Sequence, residues 1–173
     1  MLYTDAKQYL LRKLKEAGLK SNPYTTMKSL EKSQESHLGA VLFEKETYAR
    51  NGSKKRFRDE EGAKHKRHRV FDRDLTFTVT IGEYTDEAAE AMFERFISGL
   101  DSGIYVGGNF VPIEIESALW VYKDDSILKA QVAVQATVTF HGGVYKDTDF
   151  GPLRHVEVVG VEKEKGKETT NGE

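Results

Sequence analysis

Five histidines are the side chains of this sequence best suited to acid–base or metal chemistry near neutral pH. None of them pairs with another at the helical spacing, or with the nearby carboxylate, of a metal site such as H-E-x-x-H. His65 and His68 are three residues apart, but the cations around them disfavour a bound metal ion. We therefore predict solvated loop histidines and no metal site.

Two pairs of carboxylates have a spacing that places both members on one face of a strand. Asp72 and Asp74 form one pair, and Glu114 and Glu116 form the other. Such pairs can serve general acid–base catalysis, but on the polar face of a sheet they more often solubilise the protein or pair with Lys and Arg. The chain also lacks the G-x-S-x-G and P-loop motifs. We predict that the protein is not an enzyme and has no catalytic residue and no cofactor.

The most strongly charged segment is the basic arm, which we define as residues 50–69. It sets nine Lys or Arg against three acids, a net charge of +6, in a chain whose formal net charge is −2. The nine cations are Arg50, Lys54, Lys55, Arg56, Arg58, Lys64, Lys66, Arg67 and Arg69. A segment so charged and so poor in apolar residues cannot bury enough surface to offset its ordering entropy. We predict a mobile arm that contacts a negatively charged partner.

Three interpretations of the basic arm stay open at this stage. Clustered Lys and Arg neutralise phosphates without sequence preference, which favours nucleic acid as the partner. The arm carries acids at its centre, however, and only Phe57 as a stacking side chain, unlike a platform for single strands. Docking on an acidic protein surface and a merely solvated loop are the other two interpretations.

Length and composition indicate a single globular domain, since the chain has 173 residues of which 38% are hydrophobic. The absence of cysteine excludes disulfides, thiolate metal sites and cysteine nucleophiles, and it fits a reducing cytoplasm. No apolar run approaches the roughly 18 residues of a membrane span. The N-terminus shows no signal-peptide pattern. We predict a soluble intracellular protein that does not associate with membranes.

Two helices are predicted from capping residues and apolar spacing. The first covers Asp5 to Ala17, with Thr4 as its N-cap and Gly18 at its C-terminal end. The second follows Thr85 as N-cap, and its apolar residues recur at spacings of three and four between Ala89 and Leu100.

Four strands are predicted from alternating apolar and polar residues. Two of them, Leu38–Ala49 and Val70–Ile81, flank the basic arm, and two more cover Val111–Val121 and Leu128–Phe140. Each pair is expected to form an antiparallel hairpin, the first with the basic arm at its tip. The expected fold class is α+β: an antiparallel sheet of about four strands (two β-hairpins) packed with two helices, in the order α-β-β-α-β-β.

Smaller features of these strands suggest an interface and two turns. Trp120 is expected on the face opposite Ile113 and Val121, with Tyr122 as its neighbour on that face, so the two aromatic residues could form an exposed interface spot. Packing under the first helix is the alternative for Trp120. The glycine pairs 107–108 and 142–143 are assigned to turns at strand ends.

The predicted organisation is one α+β domain over residues 1–145, with the basic arm inserted at 50–69. Residues 146–173 form a C-terminal extension. It ends in alternating charges and polar residues, so we expect it to be partly frayed.

Several stretches of the chain resemble small phage tail-completion proteins, above all the tail terminator group of long-tailed phages and PBSX-type defective prophages. The stretches that carry the resemblance are the opening helix from Met1, the segment Arg69–Arg73, the helix start Tyr84–Ala89 and the hairpin Val111–Phe140. Together they cover most of residues 1–145.

This resemblance implies a structural virion protein rather than an enzyme. It implies a subunit of a hexameric ring that caps the tail tube and mediates head-tail joining. The implied partners are other copies of the chain, the tail tube, the sheath of a contractile tail and the head connector, with DNA in the lumen or at the basic arm. Such a protein is assembled in the bacterial cytoplasm and ends in the virion or a tail-like particle.

Two alternative functions remain beside the tail ring. One is a nucleic-acid-binding accessory protein that uses the basic arm as its electrostatic contact. The other is a head-tail connector subunit, which belongs to the same assembly class but occupies another position.

Overall fold

The computed structural model describes residues 1–58, 60–125 and 130–150. The helices are α1 (Leu2–Glu16), α2 (Met27–Glu31) and α3 (Asp86–Ser98), with a short 3-10 turn at Lys123–Asp125. The strands are β1 (Leu38–Arg50), β2 (Lys54–Arg58), β3 (Lys64–Glu83), β4 (Gly103–Val106), β5 (Asn109–Tyr122) and β6 (Val132–Asp149). Most of the predicted C-terminal extension, from residue 151 onwards, lies outside the described residues.

The predicted α+β class, with four strands and two helices in the order α-β-β-α-β-β, is wrong. The protein is mostly β: its described residues form three helices and one six-stranded sheet in the order β1-β3-β6-β5-β4, with β2 also paired to β3. The antiparallel pairing of β1 with β3 and of β5 with β6 is confirmed. The prediction missed β2 because a run of like charges has no apolar alternation, and β4 because four residues are too few to show one.

Helix α1 begins earlier than predicted. It starts at Leu2 with Met1 as N-cap and no side-chain cap, so the prediction that Thr4 caps this helix is wrong. The N-terminal ammonium group of Met1 instead lies 2.9 Å from a carboxylate oxygen of Asp5. That contact places a negative charge in the first turn, where the helix dipole favours it.

Helix α3 begins where the sequence predicted. The Thr85 hydroxyl accepts a hydrogen bond from the backbone N–H of Ala88 at 3.2 Å, which confirms Thr85 as the N-cap. Its buried residues, Ala89, Met92 and Phe96, are spaced by three and four. One face of α3 is therefore held against the sheet.

The main core lies between the sheet and helices α1 and α3. Along β3 the residues Leu75, Phe77, Val79 and Ile81 are at most 1% exposed. The Phe77 ring sits 6.0 Å from that of Phe140 on β6, in an edge-on arrangement. This alternation was the clearest strand signal in the sequence, and the buried face it predicted is confirmed.

The opposite face of the sheet is covered at one end only. Tyr24, in the connector before α2, forms a parallel bridge with Ala40, and Leu30 of α2 packs in a small buried cluster with Leu38 and Ala133. This cover leaves Thr80 fully buried. Towards the basic arm, no helix among the described residues packs on either face of the sheet.

A β-bulge in β5 decides which way the predicted aromatic pair points. The register with β6 shifts between Ile115 and Ser117, so the alternation of faces is reversed after that point. Trp120 lies directly opposite Val134, a member of the cluster under α3. The prediction that Trp120 and Tyr122 lie on the face opposite Ile113 is therefore wrong, because they share its face.

The two glycine pairs have different roles. Gly107 and Gly108 have φ angles of 55° and 75° and form the predicted turn between β4 and β5. Gly142 and Gly143 lie inside β6 instead, so their assignment to a turn is wrong. A Cβ on Gly142 would come within 2.3 Å of Leu2 Cδ2, so the close approach of α1 explains why this position has no side chain. No helix among the described residues is long and apolar enough to cross a membrane.

Candidate macromolecular interface on the basic arm

The basic arm is a continuation of the sheet, so the prediction of a mobile loop-like arm is corrected. Strand β2 pairs antiparallel with the first five residues of β3, and β3 pairs on its other side with β6 as far as Asp149. Between β1 and β2 the backbone N–H of Asn51 donates to the carbonyl of Val70, and that of Arg69 donates to the carbonyl of Ser53. Backbone pairing therefore gives order to this segment, which its side chains alone would not order.

One side of the arm, the packed face, is filled by aromatic and ion-pair contacts. The guanidinium of Arg67 lies 4.9 Å from the Phe57 ring and 5.7 Å from the Tyr145 ring. Phe57 stacks on His65 at 5.2 Å. Arg69 pairs with Asp72 at 2.7 Å and also lies 5.9 Å from the Tyr145 ring. These contacts stabilise the arm and occupy the cations that make them.

Arg67 also ties the arm to the rest of the sheet. It donates two hydrogen bonds to the Asp147 carboxylate, at 2.8 and 2.6 Å, and one to Asn109 Oδ1 at 3.2 Å, beside the β4–β5 turn. The hydrogen bond from Arg67 lowers the pKa of Asp147, and the same bond raises the pKa of Arg67. Arg67 is therefore an anchoring residue, and its charge is largely neutralised within the chain.

The other side of the arm, the cationic face, contains no carboxylate among the described residues. Residues of paired strands that lie directly opposite each other share a face, and every second residue along a strand does too. The register places Lys54 opposite His68, Arg56 opposite Lys66, Arg58 opposite Lys64 and His68 opposite Lys146. The basic members of the cationic face are therefore Lys54, Arg56, Arg58, Lys64, Lys66, His68 and Lys146, and Thr148 opposite Lys66 is a neutral member.

Most of these cations have no compensating charge among the residues that the structure describes. Lys54, Lys64, Lys66 and Lys146 form no ion pair with the part of the chain that the structure describes. Arg58 donates to the carbonyl of Gly62 at 3.1 Å, a neutral acceptor that does not cancel its charge. Like charges directly opposite each other destabilise a strand pair, so the cationic face costs the arm stability.

The nine predicted arm residues thus divide into three groups. The structure brings Lys54, Arg56, Arg58, Lys64 and Lys66 together on the cationic face. It places Lys55, Arg67 and Arg69 beside the cleft between the packed face and the β4–β5 hairpin. Arg50 lies apart from both groups, 4.4 Å from the Phe71 ring at the end of β1.

Sequence reasoning missed Lys146 and His68 as members of the cationic face. Lys146 lies outside the stretch of dense positive charge, and the glycine pair before it was assigned to a turn. His68 was assigned to a loop, and the finding that it lies in β3 corrects that assignment. Continued alternation from Phe140 through Lys146 would have been the signal for Lys146, because β6 runs without interruption to Asp149.

The members of each predicted carboxylate pair contact different residues, either on a neighbouring strand or on their own. His141 lies between Asp74 and Glu114, with ring nitrogens 3.1 and 3.0 Å from their oxygens. Asp72 pairs with Arg69, and Glu116 accepts a hydrogen bond from the hydroxyl of Thr139. Because His141 lies in β6, the prediction that all five histidines are loop residues is wrong. Among the described residues, no group of three or more His, Asp or Glu could hold a metal ion.

Comparison with known proteins does not assign this chain to a family. No protein-family model matches the sequence, and no curated protein matches it. The function proposed below therefore rests on the resemblance of the sequence, on the arm and on the sheet edges.

Proposed function

We propose that this protein is a structural subunit of a ring that caps a phage tail tube and takes part in joining the tail to the head. The class of assembly comes from the resemblance to tail terminator proteins. The observation that supports a ring is a pair of open sheet edges, one on each side of the molecule, both with exposed apolar side chains.

The first open edge belongs to β5. Strand β4 pairs only with the start of β5, up to Pro112, and the N–H of Ile113 donates to the carbonyl of Ser102. The outer edge from Glu114 to Tyr122 therefore has no partner strand among the described residues. Leu119, Trp120 and Tyr122 on this segment are 62%, 38% and 50% exposed. Exposed apolar residues on an unpaired edge are typical of a surface that a partner covers.

The second open edge belongs to β1, at the other end of the strand order. Beyond the bridge at Ala40 it has no neighbour on its outer side within the described ranges, and Phe43 and Tyr48 are 42% and 56% exposed. A contact between unlike edges of neighbouring copies is heterologous, and it closes into a ring when the rotation per subunit fits. In this arrangement the sheets of the subunits lie side by side.

The basic arm extends beyond the helix-packed part of this sheet and is available to a further partner. In the proposed assembly that partner is the tail tube, the sheath, the head connector or DNA. Ring formation would use the sheet edges, and joining would use the arm. Assembly would take place in the bacterial cytoplasm, before the subunit becomes part of the virion or tail-like particle.

Two other functions remain as alternatives. The uncompensated cationic face favours a nucleic-acid-binding accessory protein as the second candidate. A head-tail connector subunit would use the same open edges at another position in the particle. A monomeric protein that binds DNA would support the accessory function, whereas a closed oligomer is required by the other two.

Solution mass tests the ring directly. Light scattering over a wide concentration range should show a discrete species near six times 19.6 kDa, about 118 kDa. The substitution Leu119→Lys, which puts a charge on the open edge of β5, should shift the mass towards that of the monomer.

Tyr84→Lys is the matched control, because Tyr84 is 63% exposed but lies in the turn before α3. It should leave the oligomer intact. A wild-type monomer at every concentration, or equal behaviour of the two variants, would contradict an interface at the β5 edge.

A further inference from the structure

We infer that the cationic face of the basic arm binds the sugar–phosphate backbone of double-stranded DNA. This inference names a partner for the arm of the proposed ring subunit. It rests on the proposed function only in one respect, the source of the DNA that the arm would meet. The binding site itself follows from the strand register.

The first argument is the single sign of the charge. Six Lys or Arg and one His share the cationic face, and no carboxylate of the described residues lies opposite any of them in the register. Next to the arm, Asp72 of β3 and Asp147 of β6 pair with cations beside the packed face. These two acids are therefore segregated from the cationic face, and Glu60 and Glu61 lie in the turn between β2 and β3. The paired strands thus keep a positive field for an external polyanion.

The second argument is the spacing of the cations. Side chains on one face of a strand recur about every 6.8 Å, and neighbouring strands are about 4.8 Å apart. The cationic face is thus a regular grid across β2, β3 and β6. Duplex DNA carries about one negative charge per 1.7 Å of its axis, so several phosphates can lie within reach of such a grid.

The third argument distinguishes duplex DNA from other anions. Binding of single strands relies on aromatic stacking, but Phe57 and Tyr145 contact Arg67 on the packed face. Phe150, at the border of the cationic face, lies 5.8 Å from the guanidinium of Arg56. Protein–protein interfaces centre on aromatic or Arg anchors in desolvated pockets, whereas the register places no aromatic residue within this grid of cations.

The fourth argument concerns the stability that the arm loses through repulsion between like charges. Two pairs of Lys or Arg lie directly opposite each other on the cationic face: Arg56 with Lys66, and Arg58 with Lys64. Each such pair destabilises the arm on its own. Bound phosphates would relieve this repulsion, so the protein should gain local stability in the complex.

Binding to a fluorescently labelled 30-base-pair duplex of mixed sequence, followed by anisotropy between 50 and 200 mM NaCl, tests the inference. The triple variant Lys54→Gln, Lys64→Gln and Lys66→Gln should bind about tenfold or more weakly than wild type. Its slope of log affinity against log salt should fall in magnitude by about three, because each removed lysine leaves one phosphate that the protein no longer neutralises.

The matched control is the triple variant Lys20→Gln, Lys28→Gln and Lys32→Gln, which makes the same charge change at exposed positions outside the arm. It should keep wild-type affinity within about twofold. Equal losses in the two triple variants, or no binding of wild type at 50 mM NaCl, would overturn the inference. Displacement of the duplex by poly-glutamate at equal charge concentration would overturn it as well, in favour of an acidic protein partner.

Light scattering on the same samples separates this inference from the ring. A closed oligomer that does not bind the duplex would support the proposed ring and contradict DNA as the partner of the arm. A monomer that binds the duplex, with the predicted loss of affinity in the arm variant, would support the inference and contradict the proposed ring.

Discussion

Strand β3 passes through two regions with opposite chemistry, the helix-packed body and the basic arm. In the body, Leu75, Phe77, Val79 and Ile81 are at most 1% exposed and form one side of the core. In the arm, residues 64–69 of the same strand are exposed or half-buried, and every one except His65 and His68 is Lys or Arg. The backbone pairs with β6 in both regions, so the difference lies in the side chains.

This difference shows that the two regions obtain their order in separate ways. The body is stabilised by burial of apolar surface, at roughly 25 cal/mol per Å². The arm is stabilised by backbone pairing and by contacts of the packed face, against repulsion between like charges on the cationic face. The body should therefore set the stability of the whole protein, and the arm should open locally at a much smaller cost.

A pair of matched aromatic truncations gives the largest expected difference between the regions. Phe77 is fully buried, so Phe77→Ala should lower the free energy of unfolding by about 3–5 kcal/mol. Phe57 is half-buried and contacts His65 and Arg67, so Phe57→Ala should cost about 1 kcal/mol or less. Urea titration followed by far-UV circular dichroism measures both. Equal losses would show that the arm belongs to the same cooperative unit as the core.

A charge reversal within the arm should have a smaller effect on stability, and it should raise stability instead of lowering it. Lys66 lies opposite Arg56, so Lys66→Glu replaces a like-charge pair by an opposite-charge pair. The local stability of the arm should rise by about 0.5–1 kcal/mol. Amide hydrogen exchange over residues 54–68 should slow accordingly, by about two- to fivefold.

The neutral variant Lys66→Gln is the control for this reversal. It removes the repulsion without adding an attraction, so its amide exchange should fall between those of wild type and Lys66→Glu. Faster exchange in Lys66→Glu than in wild type would mean that the like charges do not destabilise the arm.

The body was more predictable from the sequence than the arm because its signals are local. Thr85 precedes α3 directly, and the alternation of Leu75 to Ile81 needs no partner to be recognised. The strands of the arm have no such signal. They depend on pairing across long separations, such as that of Arg67 with Asp147, 80 residues further along the chain.

The sequence predicted where the charge of the candidate site lies, but not which of its residues share a face. Counting Lys and Arg located the basic arm, yet the division into a packed and a cationic face depends on the register of β2, β3 and β6. The face of Trp120 and Tyr122 likewise depends on the bulge between Ile115 and Ser117. A bulge adds one residue without altering the apolar pattern around it, so alternation alone assigns the following residues to the wrong face.

Acid titration provides the finest comparison, because each region has a carboxylate with a lowered pKa. Hydrogen bonds from Lys13 first, and then from the Tyr9 hydroxyl, lower the pKa of Asp101 in the body, whereas Arg67 lowers that of Asp147 at the arm. A carboxylate whose pKa is lower in the folded than in the unfolded state stabilises the fold above its unfolded pKa, about 3.9. That contribution is lost as the pH falls through the folded pKa.

The two carboxylates should therefore respond differently in one measurement. Asp101→Asn should make the loss of unfolding free energy between about pH 5 and pH 2 shallower than in wild type, because Asp101 joins α1 to the end of α3 through Tyr9 and Lys13. Asp147→Asn should leave that pH dependence nearly unchanged and should instead speed amide exchange in the arm, because Arg67 loses its anchor. If Asp147→Asn altered global acid unfolding as much as Asp101→Asn, the arm and the body would have to unfold together.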